Sequence, residues 1–286
     1  MNKKKKFQFK SLIPYLLFIV GLLIASYPII SNRYYTIQAN DEINEYIRNV
    51  SKLEEEELNR RWRLAEAYNK TLDPSRLADP FSEEGKEGRA EYARMLEVQE
   101  KIGYIEIPKI DQDLPVYAGT AESILQKGAG HLEGTSLPIG GDSSHSVITA
   151  HRGLPSAKLF SDLDKMEKGD VYFIHILGKV LAYEIDQILT VEPTDFEPVL
   201  VVDGKDYSTL LTCTPYSINS HRLLVRGHRI DYTAPIEEHN LNNQKTNDNY
   251  KYYLLVSLLI ILILIYLIYR NYKNYKKLEK GDKHEK

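Results

Sequence analysis

Two uncharged apolar blocks near the ends of the chain constrain its fold more than any other feature. The first is the 22-residue run 11–32, SLIPYLLFIVGLLIASYPIISN, and the second is the 18-residue run 252–269, YYLLVSLLIILILIYLIY. At about 1.5 Å per residue, 18 helical residues reach about 27 Å, close to the roughly 30 Å hydrocarbon core of a bilayer. We therefore predict a transmembrane helix in each block, with a folded domain between them.

A cleaved signal peptide is the alternative interpretation of the first block, because five lysines precede it. The block is long, however, and no small-x-small cleavage site follows it cleanly, so we favour a retained helix. The second block carries tyrosines at both ends, where the aromatic belt of a membrane helix lies. These are Tyr252, Tyr253, Tyr266 and Tyr269.

The charges that flank the two blocks predict how the chain is oriented. Residues 1–10 carry five lysines and no acid, and residues 270–286 carry seven basic residues against three acidic ones, so the tails are +5 and +4. Positive charge at both ends predicts two cytoplasmic termini. We therefore place the intervening residues on the extracellular face, tethered twice to the lipid bilayer of the cell membrane.

Composition excludes several classes of protein. The content of 43% hydrophobic and 27% charged residues excludes a disordered or collagen-like chain, and a mean hydropathy of −0.38 excludes a polytopic transporter. The net charge of the chain is −3, so residues 11–269 carry −12 once the two basic tails are set aside. This acidic balance argues against nucleic acid as a partner.

The extracellular part changes character along its length. Residues 33–72 lack Gly and Pro and place apolar side chains at helical spacing, which predicts one or two amphipathic helices. From residue 103 onward, short β-rich runs alternate with Gly and Pro, which predicts a closed all-β barrel, with a short helix at 157–166. The predicted strands are 104–107, 114–117, 146–150, 171–177, 180–191, 207–212 and 223–230. The full division is a basic tail 1–10, a transmembrane helix 11–32, a helical stalk 33–72, a lid and connecting segment 73–100, a barrel 101–232, a linker 233–251, a transmembrane helix 252–269 and a basic tail 270–286.

The single cysteine, Cys213, is the first candidate for chemistry. One cysteine cannot form an internal disulfide, and a free thiol outside the cell is open to oxidation. Cys213 also ends the β-rich run Tyr-Ser-Thr-Leu-Leu-Thr-Cys, and a strand terminus aims a side chain rigidly, as a nucleophile requires. A buried structural cysteine is the other interpretation; we favour a reactive thiol.

A nucleophilic thiol needs a proton partner and a donor for the developing oxyanion. Of the eight histidines, His151 follows the apolar run 147–150 and so holds the same strand-to-loop position as Cys213. Arg222 and Arg226 both lie in the strand after Cys213, four residues apart, so they point to the same face. Spacing alone leaves both arginines as candidates.

These runs resemble the active site of a sortase, and more narrowly that of class C, the pilus-assembling sortases. The residues that carry the resemblance are TLLTCTPY at 209–216, NSHRLLVRG at 219–227 and TAHRG at 149–153. The resemblance covers roughly residues 73–232. It extends to the flanks, because class C enzymes commonly keep a C-terminal membrane helix and a lid with an Asp-Pro-aromatic motif, here Asp79-Pro80-Phe81.

The resemblance implies a closed eight-stranded sortase-type barrel and a role for each matched residue. Cys213 is the implied nucleophile, His151 the acid/base, and Arg222, rather than Arg226, the cation that positions substrate and stabilises the tetrahedral intermediate. The implied substrate contacts are Leu210 and Thr212. In the lid Asp79-Pro80-Phe81, Asp79 would reach toward the arginine. Phe81, which stands where other members have tryptophan, would cover the thiol and mimic a bound sorting signal.

The implied reaction is cleavage of an LPxTG-like sorting signal through a thioester, followed by transfer to a lysine amine of another pilin. It needs no metal or organic cofactor, and its partners are pilin or surface-protein precursors. A housekeeping sortase, which uses a cell-wall amine as acceptor, is one alternative. A non-catalytic membrane-tethered binding barrel, in which Cys213 is inert, is another. A papain-like hydrolase would place Cys before His, whereas His151 precedes Cys213.

Overall fold

Eight strands form a closed barrel in the computed structural model, which describes residues 13–72, 81, 93–232 and 249–284. The order around the barrel is β1-β2-β3-β4-β7-β8-β6-β5, so the predicted closed all-β barrel is confirmed. The three-residue strand β3 was not predicted, because a run this short carries no alternating pattern. The strands are β1 Lys101–Ile107, β2 Gln112–Ala118, β3 Ala129–His131, β4 Ser144–Thr149, β5 Val171–Ile176, β6 Lys179–Val191, β7 Asp206–Thr214 and β8 His221–Ile230.

The barrel interior is filled by large side chains, as expected for eight strands. Tyr172 of β5 and Tyr183 of β6 are fully buried and stack with ring centroids 5.7 Å apart. Tyr172 also donates a hydrogen bond to the carbonyl oxygen of Ser208, at 2.7 Å. This contact ties the interior packing to β7, the strand that carries Cys213.

The predicted helix at 157–166 is wrong. The structure has only a 3-10 turn there, Leu163–Lys165. Leu159 has a φ of 41°, in the left-handed region, which interrupts any helical path. The apolar side chains of segment 157–166 are buried in the barrel core. They include Leu159, Phe160 and Leu163. The pattern that suggested one face of a helix therefore came from a loop that packs on the barrel.

Two helices precede the barrel, α1 Ile13–Val50 and α2 Glu55–Asn69. Helix α1 runs without a break through the predicted boundary between residues 32 and 33. Its C-terminal turns pack on the barrel: the Tyr46 hydroxyl donates to the Ile102 carbonyl oxygen at 3.1 Å and accepts from the Leu177 amide at 2.9 Å. Glu42 and Glu45 of α1 also pair with the buried Lys101 of β1. Residues 33–72 therefore lie against the barrel.

Of the described residues, 13–31 and 249–284 belong to one compact unit, and those from 32 to 232 belong to a second. Within the described part of the chain, one helix is long and apolar enough to cross a membrane, Pro14–Val50. The C-terminal helix α4, Asn249–His284, contains a shorter apolar stretch, Leu255–Arg270. At about 1.5 Å per residue this stretch reaches about 24 Å, less than a full hydrocarbon core.

A short helix, α3 Glu122–Leu125, lies between β2 and β3. Strand β3 pairs in parallel with β2 and antiparallel with β4, so the segment that contains α3 crosses one end of the barrel. This crossing brings the first residue of α3 close to the loop that follows β4.

Candidate active site

Cys213 and Arg222 face each other across the β7–β8 pair. The two strands are antiparallel, and their register pairs Cys213 directly with Arg222. Directly opposed residues in such a pair have Cα atoms about 4.5–5.5 Å apart. Both residues are buried. The turn between the strands is closed by the Ile218 and Asn219 amides, which donate to the Pro215 carbonyl oxygen at 3.1 and 2.9 Å.

His151 reaches the same end of the barrel because β4 runs parallel to β7. The register pairs Thr149 with Leu211, and the Ala150 amide extends it by donating to the Leu211 carbonyl oxygen at 3.3 Å. The Thr212 hydroxyl then donates to the Ala150 carbonyl oxygen at 2.7 Å. Carried two residues past Thr149 and Leu211, this register leads to His151 and Cys213, so both residues belong to the same end of the barrel. The structure thus brings the predicted thiol, imidazole and guanidinium onto three adjacent strand ends.

The two arginines left open by spacing have different partners. Arg226 lies opposite Thr209, far down the strand from Cys213, and its guanidinium binds Asp186 through two hydrogen bonds of 2.9 and 3.1 Å. It also stacks over the Tyr207 ring, 4.1 Å from the ring centroid. Arg222, by contrast, donates to the backbone carbonyls of its own turn and lies opposite the thiol. The geometry therefore favours Arg222 at the site.

Phe81, from the predicted lid, lies against His151 and Arg222. Its ring centroid lies 5.5 Å from that of His151 and 5.1 Å from the guanidinium carbon of Arg222. Phe81 packs on a buried apolar cluster whose five residues come from five different segments of the chain. Asp79 and Pro80 of the same motif lie outside the described residues. The cluster consists of Leu132, Val147, Val199, Leu211 and Leu224.

Leu210 and Thr212 are fully buried. Leu210 belongs to the main barrel core, and the Thr212 hydroxyl is committed to the backbone of residue 150. Neither side chain offers a surface to a peptide in this structure, so the implied substrate contact has no support here. Their positions instead fix β7 against the core and against the end of β4, which holds Cys213 and His151 in place.

Arg152 connects the loop after His151 to the strand of the thiol, a link that sequence reasoning missed. Its guanidinium donates to the Thr214 hydroxyl at 3.0 Å and pairs with Asp164 at 2.7 Å. The Phe160 amide donates to the His151 carbonyl oxygen at 3.1 Å. Arg152 belongs to the TAHRG run at 149–153, which the sequence shows. Its partners Thr214 and Asp164, however, lie in other segments of the chain.

Glu122 is the second residue that sequence reasoning missed. Its two carboxylate oxygens each lie 3.2 Å from Nε2 of His151. No motif surrounds Glu122, and it lies 29 residues before its partner in the chain. Only the closure of the barrel, which carries α3 across the end of β4, brings the pair together.

The buried histidines His131 and His145 are held neutral away from the thiol. Burial lowers the pKa of each imidazole to about 4. His131 donates from Nε2 to the Ser136 carbonyl oxygen at 2.8 Å. His145 donates from Nδ1 to the Leu200 carbonyl oxygen at 3.0 Å and accepts at Nε2 from the Thr209 hydroxyl at 2.7 Å. Both are structural groups that stabilise β3 and β4.

A thiol, an imidazole and a guanidinium at one end of a closed barrel are the groups that acyl transfer through a thioester requires. A family model described as "Sortase domain" matches residues 105–230. The chain belongs to the sortase family and is a cysteine transpeptidase.

Solved sortase C structures from streptococci are among the proteins similar to this chain. A solved sortase C of Streptococcus pneumoniae is 65% identical, with a TM-score of 0.65, over 68% of this chain and 99% of that one. A pilus-related sortase C of Group B Streptococcus is 56% identical, with a TM-score of 0.65, over 66% of this chain and 97% of that one. A sortase A of Bacillus anthracis is 27% identical over 79% of this chain and 96% of its own length. Within the family, the chain therefore belongs with class C.

Proposed function

We propose that this chain polymerises pilins. In the first step Cys213 attacks the Thr–Gly amide of an LPxTG-like signal near the C-terminus of a pilin, so that a thioester forms and the C–N bond breaks. His151 gives its proton to the leaving amine, and the tail of the signal departs. In the second step a lysine amine of another pilin attacks the thioester and gives a proton to His151, so that an isopeptide bond forms, the C–S bond breaks and the Cys213 thiolate is restored.

The register of β7 and β8 is the observation that carries this proposal, because it sets Arg222 opposite Cys213. A guanidinium in that position donates to the negative oxygen that develops when sulfur attacks the amide carbonyl. A proton transfer from a positioned imidazole typically contributes about 10²–10⁴-fold to such a reaction. The buried apolar cluster that Phe81 packs against has the chemical character that the apolar residues of a sorting signal would bind.

The choice of pilins as substrates is supported by similarity. Of the two class C relatives, the one at 56% identity is a pilus-related sortase, and the structure of the one at 65% identity provides insights into pilin substrate specificity. A lid role for Phe81 would support the same choice of substrate, because its ring lies against His151 and Arg222, where a sorting signal would bind. Asp79 and Pro80 would complete this lid.

We also propose that the enzyme is held in the cell membrane by two helices, with its barrel outside and both termini in the cytoplasm. The apolar helix within Pro14–Val50 supports the first span, and the basic tails support the orientation. Pilin precursors are themselves held at the membrane, so a shared surface raises the effective concentration of substrate. Removing residues 252–286 and measuring polymer length in cells tests the second anchor: shorter polymers are expected, and an unchanged length contradicts a functional role for it.

Trapping the acyl-enzyme tests the central step. Wild-type enzyme mixed with a pilin that bears an LPxTG-like signal should form a hydroxylamine-sensitive adduct, whereas Cys213→Ser should form none. Adding a second pilin with its lysines intact should yield polymers, and blocking those lysines by methylation should stop them. Polymerisation by the Cys213→Ser variant contradicts the proposal. Transfer to a cell-wall amine but not to pilin would instead support the housekeeping alternative.

A further inference from the structure

The imidazole of His151 is held on two sides. The Glu122 carboxylate faces one ring nitrogen, with both oxygens 3.2 Å from Nε2. The Phe81 ring lies against the imidazole at 5.5 Å between centroids, tilted by 40°. Glu122 is itself held, because the Gln126 side-chain amide donates to its Oε1 at 2.5 Å. The chain thus contains a fixed series of side-chain contacts from Gln126 through Glu122 to His151.

The two nitrogens of an imidazole differ in function, and the partner of one decides the role of the other. A carboxylate accepts hydrogen bonds only, so Nε2 of His151 carries a proton when it faces Glu122. Nδ1 is then the nitrogen left to exchange a proton with Cys213 and the leaving amine. A ring flip would reverse this assignment, and the Glu122 contact opposes it.

The charges that face His151 come from three elements. Glu122 on α3 and a Cys213 thiolate on β7 favour the protonated imidazole, whereas the Arg222 guanidinium on β8 disfavours it. Without Glu122, the protonated imidazole and the Arg222 guanidinium would be two cations in the same site, with the Cys213 thiolate as their counter-ion. The carboxylate supplies a second anion that persists after the thiolate has been consumed in the thioester.

We propose that Glu122 is a positioning residue for His151: it fixes the orientation of the imidazole and favours its protonated form while the leaving amine departs. This inference rests on the proposed role of His151 as the acid. The Glu122 side chain is 45% exposed, so solvent screens the pair and the expected effect is moderate. We expect a loss of about fivefold to tenfold in the rate of acyl-enzyme formation when the charge is removed.

The matched variants are Glu122→Gln, which removes the charge, and Glu122→Asp, which keeps it. Glu106→Gln is the control, because Glu106 also pairs with a histidine, His175, at 3.3 Å, but on β1 and β5, across the barrel from β7. Each variant is made in the full chain in detergent. Acyl-enzyme formation is measured with an LPxTG-like peptide, and the His151 ring is followed by ¹⁵N NMR against pH, with the signal assigned by a His151→Gln variant.

In Glu122→Gln we expect kcat to fall with KM nearly unchanged, and the His151 ring signal to titrate at lower pH than in the wild type. Glu122→Asp should recover part of the kcat and part of the change in the His151 titration. Glu106→Gln should leave both quantities as they are in the wild type. The NMR titration needs no substrate, so a shifted His151 signal supports the positioning role even if pilins prove not to be polymerised. An unchanged titration in Glu122→Gln overturns the inference, as does a rise in KM with an unchanged kcat.

Discussion

Cys213 and Arg222 are direct cross-strand partners at the end of β7 and the start of β8. Residues opposed in this way keep their separation as long as the ladder holds, so the position of the guanidinium relative to the thiol is set by backbone hydrogen bonds. Arg226, four residues further along the same strand, pairs with Asp186 instead. The sheet register, and not residue type, distinguishes the two arginines.

Replacing Arg222 tests this distinction. Arg222→Ala should lower the rate of acyl-enzyme formation by about 10²–10³-fold, the usual cost of losing one oxyanion donor. Arg222→Lys should recover part of that loss, since the charge remains but the planar fork of donors does not. Arg226→Lys is the matched control and should leave the rate within about twofold. Equal losses in the two lysine variants would mean that register does not select the cation.

Phe81 should protect the thiol from reagents in solution. A half-buried phenylalanine contributes about 1 kcal/mol by packing, so Phe81→Ala should speed alkylation of Cys213 by iodoacetamide about fivefold. Phe196→Ala is the control, because Phe196 packs on the same apolar cluster while no ring contact joins it to His151 among the described residues. If both variants label at the wild-type rate, the aromatic lid does not guard the site. Adding Asp79→Ala to Phe81→Ala should speed labelling further.

Tyr46 should contribute strongly to the docking of α1 on the barrel. Its buried hydroxyl joins the Ile102 carbonyl oxygen and the Leu177 amide, so Tyr46→Phe leaves both backbone groups without that partner. We expect a loss of about 2 kcal/mol in the free energy of unfolding. The exposed Tyr34 on the same helix gives the control, since Tyr34→Phe should change stability by less than about 0.5 kcal/mol. Urea unfolding followed by the fluorescence of Trp62, the single tryptophan, measures both.

His145 should make the barrel less stable in mild acid. Burial lowers the pKa of His145 to about 4, whereas the unfolded chain binds this proton near pH 6.5. The unfolded state therefore holds more protons between pH 4 and 6.5, and stability is lost as pH falls through that window. The contribution is about 1.4 kcal/mol per pH unit.

The measurement compares His145→Asn with the wild type by urea unfolding at several pH values. Asparagine keeps a donor for the Leu200 carbonyl oxygen but cannot titrate. The slope of stability against pH should be smaller in the variant by about one proton between pH 5 and 6, and the same in both proteins between pH 7 and 8. Identical slopes between pH 5 and 6 would show that His145 does not resist protonation in the folded state.

Several features followed from the sequence because they depend on local pattern. A run of uncharged apolar residues predicts a helix such as the N-terminal part of α1, and alternating β-rich runs predict strands. The strand-to-loop positions of Cys213 and His151 could be recognised in the same way, since Cys213 ends a β-rich run and His151 directly follows an apolar one. The single cysteine then restricted the nucleophile to one residue.

Tertiary structure decided what local pattern could not. The choice of Arg222 over Arg226 depends on the β7–β8 register, and the contact between Glu122 and His151 depends on the path of α3 across the barrel end. The apolar residues of 157–166 suggested a short helix, but in the structure they belong to a loop whose side chains are buried in the barrel core. Registers and crossings join residues that are distant in the chain, and their free energy comes from closing the barrel as a whole. A sequence pattern reports which side chains prefer burial, but barrel closure determines which of them meet.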